Sequence, residues 1–434
     1  MSRTGGMVRG ALLTAAVMAA ATVAFAQELT VSGEVKTGFY IQQEQLGSDD
    51  PVAIGGATNN DGESGGGAGR IRMDFRFAYE NMGLRVRFQI EPRALDLGPF
   101  QPTWNFAYAY GNMFNNQFTV AGGLLGESPW GTGGPRLNSE PEAREYISYN
   151  ELSGKPYIAR EGLLGVRFEY KPFYVPGLNV GFVLNQPDRI QKDVQKQSFG
   201  EVFGESIVGA AYEHDMFAVR VGYRLDSAAD KNADGVEQEG GRLTWRVEEK
   251  ALATKIDGMK IWLNGLYYGL GCKKEQLSIS IDGNRVTKDI GSGEYLINWL
   301  YWQWDTPSFI AGLDVGFSAY QIYNNSEFTP TTRQEYQSLE FIPAFYYKLF
   351  DNLLQAGLAV GMGMEFGPGK TYKNAGYQYF TIEPQIRLNI NSNSYVAAVY
   401  DFTDKYAWFN DVDRTRRGEK SVKHSFNIRA VYAF

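Results

Sequence analysis

The stretch RIRMDFRFAYENMGLRVRFQIE, residues 70–91, determines the fold class of this 434-residue chain. Apolar side chains occupy every second position from Ile71 to Tyr79 and again from Leu84 to Ile90, and arginines fill many of the alternate positions. A period of two residues predicts β-strands that have one apolar and one polar face. The segment Asn81-Met82-Gly83 predicts a tight turn, so the stretch should form a hairpin.

The same alternation recurs along the chain and predicts 18 strands, with 16 as the alternative count. The predicted strands lie near residues 28–41, 69–80, 83–91, 103–110, 117–125, 161–171, 178–186, 203–213, 216–226, 242–256, 259–270, 293–304, 309–321, 337–349, 353–365, 377–390, 395–405 and 422–434.

Short and long connections alternate between these strands. Short turns such as Glu80–Gly83 and Phe350–Asn352 alternate with long polar segments such as Gly47–Gly69 and Gly126–Arg160. This arrangement is typical of an outer-membrane barrel that has its short turns in the periplasm. Because lipid cannot satisfy open strand edges, a membrane sheet must close on itself. We therefore predict an all-β fold, a transmembrane antiparallel up-and-down β-barrel. A secreted β-sandwich or propeller is the alternative, and it would bury its apolar faces.

The first 26 residues predict export. Arg3 and Arg9 precede an apolar run, Ala11–Ala24, which is followed by Ala24-Phe25-Ala26. This pattern indicates a secretory signal peptide that is cleaved after Ala26. The run is shorter than the roughly 20 residues of a spanning helix. We expect residues 27–434 to form a single barrel domain.

The composition supports a barrel and excludes some partners. Aromatic residues make up 14% of the chain, which suits a barrel with aromatic girdles at both membrane interfaces. Cys272 is the only cysteine, so the chain can form no internal disulfide. The net charge of −7 argues against nucleic acid as a partner.

The last strand carries the most specific motif. Phe426, Ile428, Ala430, Tyr432 and Phe434 share one face, and the last residue is aromatic. In this the chain resembles the Gram-negative outer-membrane porin superfamily, whose closing strand commonly ends in phenylalanine and is recognised by the barrel-assembly machinery. The resemblance implies contact with outer-membrane lipid, and with that machinery during biogenesis. It leaves open association as a homotrimer.

A closed barrel of 16 to 18 strands is too wide for its side chains to fill, so a water-filled channel should remain. An arginine facing lipid at the bilayer midplane costs about 2–4 kcal/mol, so the strand arginines should face this channel. They could instead brace the wall by pairing with Asp74, Glu91, Glu169 and Glu248. The predicted basic residues of the channel are Arg70, Arg72, Arg76, Arg85, Arg87, Arg167, Arg220, Arg224, Arg242, Arg246, Arg387 and Arg429.

The third long loop, residues 126–160, carries the acidic residues Glu127, Glu140, Glu142 and Glu145. The resemblance implies that this loop folds into the pore, and we expect Ser128–Gly131 to begin the inward turn. Acidic groups opposite a basic wall would produce a transverse field that orients polar solutes. The alternative is an ordinary solvated loop.

These features together predict an outer-membrane porin for passive diffusion of small hydrophilic solutes, with a preference for anionic or carboxylate-bearing ones. A sugar-selective pore is one alternative, in which Trp302 and Trp304 would line the channel. Their position just before a short turn favours the aromatic girdle instead. An adhesin or structural barrel with binding loops is another alternative.

We expect no catalysis. The only histidines, His214 and His424, lie beside no nucleophile motif or metal-ligand pattern, and no cofactor or metal is predicted.

Overall fold

The computed structural model describes residues 28–58, 70–90, 102–125, 130, 163–185, 206–226, 240–270, 275–281, 284–290, 293–326, 329–366, 379–406 and 420–434. The predicted signal peptide lies outside these ranges. Within them, no helix is long and apolar enough to cross a membrane.

The described residues form 21 β-strands. They are β1 (Glu28–Leu46), β2 (Val52–Thr58), β3 (Arg70–Tyr79), β4 (Met82–Ile90), β5 (Pro102–Met113), β6 (Phe118–Leu125), β7 (Leu163–Tyr170), β8 (Leu178–Asn185), β9 (Ile207–Glu213), β10 (Phe217–Asp226), β11 (Gly240–Glu249), β12 (Met259–Leu270), β13 (Glu275–Ile281), β14 (Asn284–Ile290), β15 (Gly293–Asp305), β16 (Phe309–Ser326), β17 (Thr329–Leu349), β18 (Leu354–Phe366), β19 (Tyr379–Asn389), β20 (Tyr395–Tyr406) and β21 (Lys420–Ala433).

Eighteen of these strands form a closed antiparallel barrel, which confirms the predicted fold class and strand number. Closure comes from β1, which pairs with β3 along one edge and with β21 along the other. The remaining three strands lie in connections between barrel strands: β2 lies in the predicted loop Gly47–Gly69, and β13 and β14 lie between β12 and β15. β2 extends the wall beyond β3 by pairing with Gly38–Glu44 of β1, and β13 and β14 form a separate hairpin.

The tight turns depend on residues in the left-handed backbone region. Phe114, Asn115 and Asn116 have φ of 52°, 54° and 64°, and Phe350–Asn352 have values of 52–68°. Non-glycine residues rarely adopt such angles outside turns. The turn Phe350–Asn352 lies where the sequence predicts it, whereas β5 continues to Met113, three residues beyond its predicted end.

The two faces of the wall differ in the way that a membrane barrel requires. On β21, Lys423, Ser425 and Asn427 are at most 6% exposed, whereas the alternating Phe426 and Ile428 are 40% and 43% exposed. A closed wall shields its inner face, so the buried polar positions point into the lumen. The exposed apolar positions form the outer face. The wall therefore does not bury its apolar stripes, as the secreted sandwich would.

One predicted strand is too long. The prediction of 242–256 is wrong at its end, because β11 stops at Glu249. Residues 250–258 fold into a turn in which the Glu249 carboxylate accepts a hydrogen bond from the backbone N–H of Leu252, at 2.7 Å. The pairing of β11 with its neighbours therefore ends at this turn, although apolar residues continue beyond Glu249.

Candidate functional site

The β3–β4 hairpin places a group of arginines on the inner face of the wall. Arg85 and Arg87 of β4 share one carboxylate oxygen, Oδ2 of Asp74 on β3. The Arg87 nitrogens Nη2 and Nε lie 2.6 and 3.0 Å from this oxygen, and Arg85 Nη2 lies 3.3 Å away. A single carboxylate therefore serves two guanidinium groups, and the trio carries more positive than negative charge.

The neighbouring strand β1 extends this group. Arg72 donates from Nε and Nη2 to the side-chain oxygen of Gln89, at 3.0 and 2.7 Å, and its Nη1 lies 3.4 Å from Glu34. Lys36 lies 3.5 Å from the same glutamate. We call the four cations Lys36, Arg72, Arg85 and Arg87, with the carboxylates of Glu34 and Asp74, the basic cluster.

An aromatic ring supports the basic cluster. The guanidinium carbons of Arg85 and Arg87 lie 5.1 and 4.7 Å from the centroid of the Phe106 ring on β5. Cations at this distance from a ring face are attracted by its quadrupole. Phe106 is buried, whereas the Arg85 side chain is 41% exposed and the Arg87 side chain 20%. The ring therefore holds the guanidinium groups while Arg85 stays open to the lumen.

Two other predicted arginines are paired on their own strands. Arg167 lies 2.8 Å from Glu169 on β7, and Arg246 lies 3.2 Å from Glu248 on β11. These are the wall-bracing pairs that the sequence left as an alternative. Arg220 occupies the inner face of β10 directly opposite Arg246, which brings two guanidinium groups to one level of the wall.

The other predicted basic residues are spread around the barrel. Arg224, Arg387 and Arg429 are buried on the inner face, and Arg387 stacks over the Tyr395 ring at 3.7 Å. Arg76 lies near the short-turn end of β3 and is exposed. The side chains of Arg70 and Arg242 are not among the described ones, although both residues belong to strands.

The predicted acidic residues Glu127, Glu140, Glu142 and Glu145 lie outside the described residues. Three carboxylates on the wall itself were not predicted. Asp314, Glu383 and Asp401 are buried on β16, β19 and β20. Asp401 Oδ1 accepts hydrogen bonds from the hydroxyls of Thr381 and Thr403, at 2.7 and 2.9 Å, and Oδ2 lies 3.5 Å from Lys423. Asp314, Glu383 and Asp401 occupy strand positions that alternate with apolar residues, and this alternation could have identified them from the sequence.

Two tryptophans of β15, Trp302 and Trp304, lie on the outer face of the wall. Trp302 and Trp304 alternate with the buried Tyr301 and Gln303 and share the outer face with Leu300, which is 43% exposed. Trp304 packs edge-on against Phe309 at 5.2 Å, and Phe309 stacks on Phe345. This aromatic group lies next to a short turn, as the girdle interpretation requires.

No protein-family model matches this chain, and no curated protein matches its sequence. Solved structures do match it. Outer-membrane expressed OmpT of Vibrio cholerae has a TM-score of 0.50 and 12% identity, covering 94% of this chain and 97% of that one. The outer membrane channel DcaP of Acinetobacter baumannii has a TM-score of 0.47 and 10% identity, covering 94% and 97%. An anion-selective porin from Comamonas acidovorans has a TM-score of 0.46 and 10% identity, covering 93% and 99%. At 12% identity the likeness to OmpT shows the fold alone, a closed antiparallel β-barrel of the outer-membrane type.

Proposed function

We propose that this barrel is an outer-membrane porin through which small hydrophilic solutes diffuse passively, and that it favours anionic or carboxylate-bearing solutes. The observation that carries the proposal is the sharing of Asp74 by Arg85 and Arg87. Guanidinium groups in a fixed fork bind carboxylates through two parallel hydrogen bonds. Arg85 is the most open of these groups, so a passing carboxylate meets it directly.

The surrounding wall strengthens this electrostatic effect. Charges in a narrow channel with low-dielectric walls are screened less than charges on an open surface. Four cations of the basic cluster share two carboxylates on one sector of the inner wall, which raises the local concentration of anions. The solute preference therefore depends on side chains fixed to strands.

Reversal potentials in a salt gradient across a planar bilayer test the proposal. The double variant Arg85→Ala/Arg87→Ala should lose most of the preference for chloride over potassium, because it leaves Asp74 without its two cations. Arg85→Lys/Arg87→Lys keeps the charge and should retain that preference. Lys420→Ala removes a cation that pairs with Asp404 on the outer face, and should change nothing. A cation-selective wild-type channel, or an unchanged reversal potential in the double alanine variant, would contradict the proposed role of these residues.

The sugar-selective alternative gains less support. It needs aromatic faces that open onto the lumen, but Trp302 and Trp304 lie on the outer face. On the inner face Trp262 and Tyr301 stack on each other, with centroids 4.7 Å apart, and are only 9% and 2% exposed. A stacking track for sugar rings would leave such faces free.

A further inference from the structure

Two prolines lie in the interior of barrel strands. Pro343 of β17 and Pro384 of β19 both occupy outward-facing positions, which alternate with buried ones. Proline has no backbone N–H to donate, and within sheets it is normally confined to edge strands, strand starts or bulges. The hydrocarbon of a membrane offers no water to replace a lost partner. Prolines in the interior of paired strands should therefore weaken the wall locally.

The pairing of the strands is interrupted at both prolines. β17 and β18 lack two consecutive rungs, at Ile342 and Pro343, although the register is the same on either side. β19 and β20 lack two consecutive rungs in the same way, at Glu383 and Pro384. By contrast, β15 pairs without interruption with both of its neighbours, β12 and β16. Each interruption therefore coincides with a proline and the residue before it.

The two interruptions flank one pair of strands. β18 and β19 stay paired with each other over ten consecutive rungs, but each has lost part of its pairing with its other neighbour. Val360, which faces Pro343, pairs with Ile382, and Glu383 follows directly, so the interruptions lie at adjoining levels of the wall. We call β18 and β19 the hinge pair.

The hinge pair is fixed at its short-turn end. The side-chain nitrogen of Asn389 donates to the carbonyl oxygen of Asn352 in the turn before β18, at 2.6 Å. The side-chain nitrogen of Gln355 donates to Oδ1 of the same asparagine, at 2.7 Å. Slightly higher, Tyr346 of β17 packs over Gly357, where an added Cβ would lie 2.5 Å from the tyrosine ring. Movement of the pair is therefore restricted to the part above these contacts.

Side chains bridge the interruption between β19 and β20 on the inner face. Asp401 of β20 lies opposite Glu383, in one of the missing rungs. Its Oδ1 accepts a hydrogen bond from the hydroxyl of Thr381 on β19, at 2.7 Å, and both residues are at most 2% exposed. A hydrogen bond in such low-dielectric surroundings is stronger than one in water. We call Asp401 and Thr381 the clasp, because they connect the two strands where the backbone does not.

We propose that the hinge pair is the part of the wall that opens first, separating from β17 and β20 at mid-height while its short-turn end stays fixed, and that the clasp holds it closed. Opening at a missing rung breaks fewer backbone hydrogen bonds than opening at an intact one, so it requires less free energy. The wall can thus change shape at one place while the rest of the barrel stays paired. This inference does not depend on the proposed porin function.

Amide hydrogen exchange of the whole barrel in lipid vesicles tests the order of opening. Peptides covering residues 357–363 of β18 and 396–403 of β20 should exchange roughly tenfold or more faster than peptides covering residues 297–303 of β15. The β15 peptides are the internal reference, because that strand is paired without interruption on both sides.

Pro343→Ala supplies the missing N–H, which can then donate to the carbonyl oxygen of Val360. Exchange in β18 should slow by roughly threefold to tenfold, the range expected for one added hydrogen bond. The direction is informative, because loss of a proline otherwise destabilises a protein by giving the unfolded chain more freedom. Pro102→Ala is the matched control, since Pro102 begins β5 and still pairs with Ile90. It should leave the exchange of β18 unchanged.

Thr381→Val removes the hydroxyl of the clasp and keeps the shape of the side chain. Exchange in β20 should accelerate by roughly threefold or more. Thr119→Val is the control, because it removes a hydroxyl that donates to Asn112 across an intact rung of β5 and β6. The backbone ladder still holds those strands, so exchange in β6 should stay almost unchanged.

Exchange in β18 and β20 that is no faster than in β15 would overturn the proposal. So would unchanged exchange in both Pro343→Ala and Thr381→Val. A barrel that shows the expected exchange but conducts no ions would reject the porin function and leave the hinge pair standing.

Discussion

Phe434 and Gly33 exchange two backbone hydrogen bonds, with N–O distances of 2.9 and 3.0 Å, at the seam where β21 meets β1. A Cβ at Gly33 would lie 2.8 Å from the Phe434 ring and 2.7 Å from the carbonyl oxygen of Arg72 on β3. Gly33 is therefore confined by the strands on both of its sides. The absence of a side chain at this position lets β3 and β21 approach β1 closely.

Replacing Gly33 by alanine should weaken the closed barrel. The added methyl group must displace both the β3 backbone and the Phe434 ring, and such overpacking typically costs about 1–3 kcal/mol. We expect the folded, heat-resistant form in detergent gels to unfold at a lower temperature. Gly111→Ala is the control, because a Cβ at Gly111 meets nothing within 4 Å. Equal unfolding temperatures for the two variants would show that the seam tolerates a side chain.

Neutralising Asp74 should change ion selectivity in the opposite direction to removal of the arginines. Asp74→Asn removes the carboxylate that Arg85 and Arg87 share, so their charges act more strongly on the lumen. The reversal potential should shift towards a stronger anion preference. The barrel should also lose about 1–3 kcal/mol of stability, because charged hydrogen bonds are weakened.

Asp404→Asn is the matched control for this change, since Asp404 pairs with Lys420 on the outer face. Its reversal potential should equal that of the wild type. A shift of Asp74→Asn towards cations would contradict the assigned role of the basic cluster.

The strands were predictable because their period is a local property. Lipid on one side and water on the other impose an alternation that can be read from consecutive residues, and β12 begins at Met259 and ends at Leu270 as predicted. The end of β11 was not predictable in this way. The side chain of Glu249 accepts a hydrogen bond from the backbone of Leu252, and the strand ends at this turn although apolar residues continue beyond it.

The site was less predictable, because pairing between distant residues depends on register. The sequence shows that Arg85 and Asp74 share a face, but not that one oxygen of Asp74 serves two arginines. It contains Trp130, Gly181 and Gly209 at separations of 51 and 28 residues, and their contact exists only in the folded barrel, where the register of β8 and β9 pairs the two glycines. The carboxylates of Asp314 and Asp401 were not predicted, because acidic groups were expected in a loop rather than on the wall.

Leu300 and Leu29 together provide a test of the solvent around the outer face. Their exposed fractions are almost equal, 43% and 45%, but Leu300 lies in the middle of the wall and Leu29 near the short-turn end of β1. Leu300 is flanked by Leu263 and Val315 on the neighbouring strands. In a bilayer, Leu300→Arg should cost about 2–4 kcal/mol and Leu29→Arg only about 0–1 kcal/mol, because the cost of a charge grows with depth. Guanidinium unfolding in lipid vesicles measures both free energies. In water, two equally exposed leucines would tolerate arginine equally well, so equal costs would mean that these apolar stripes do not face lipid.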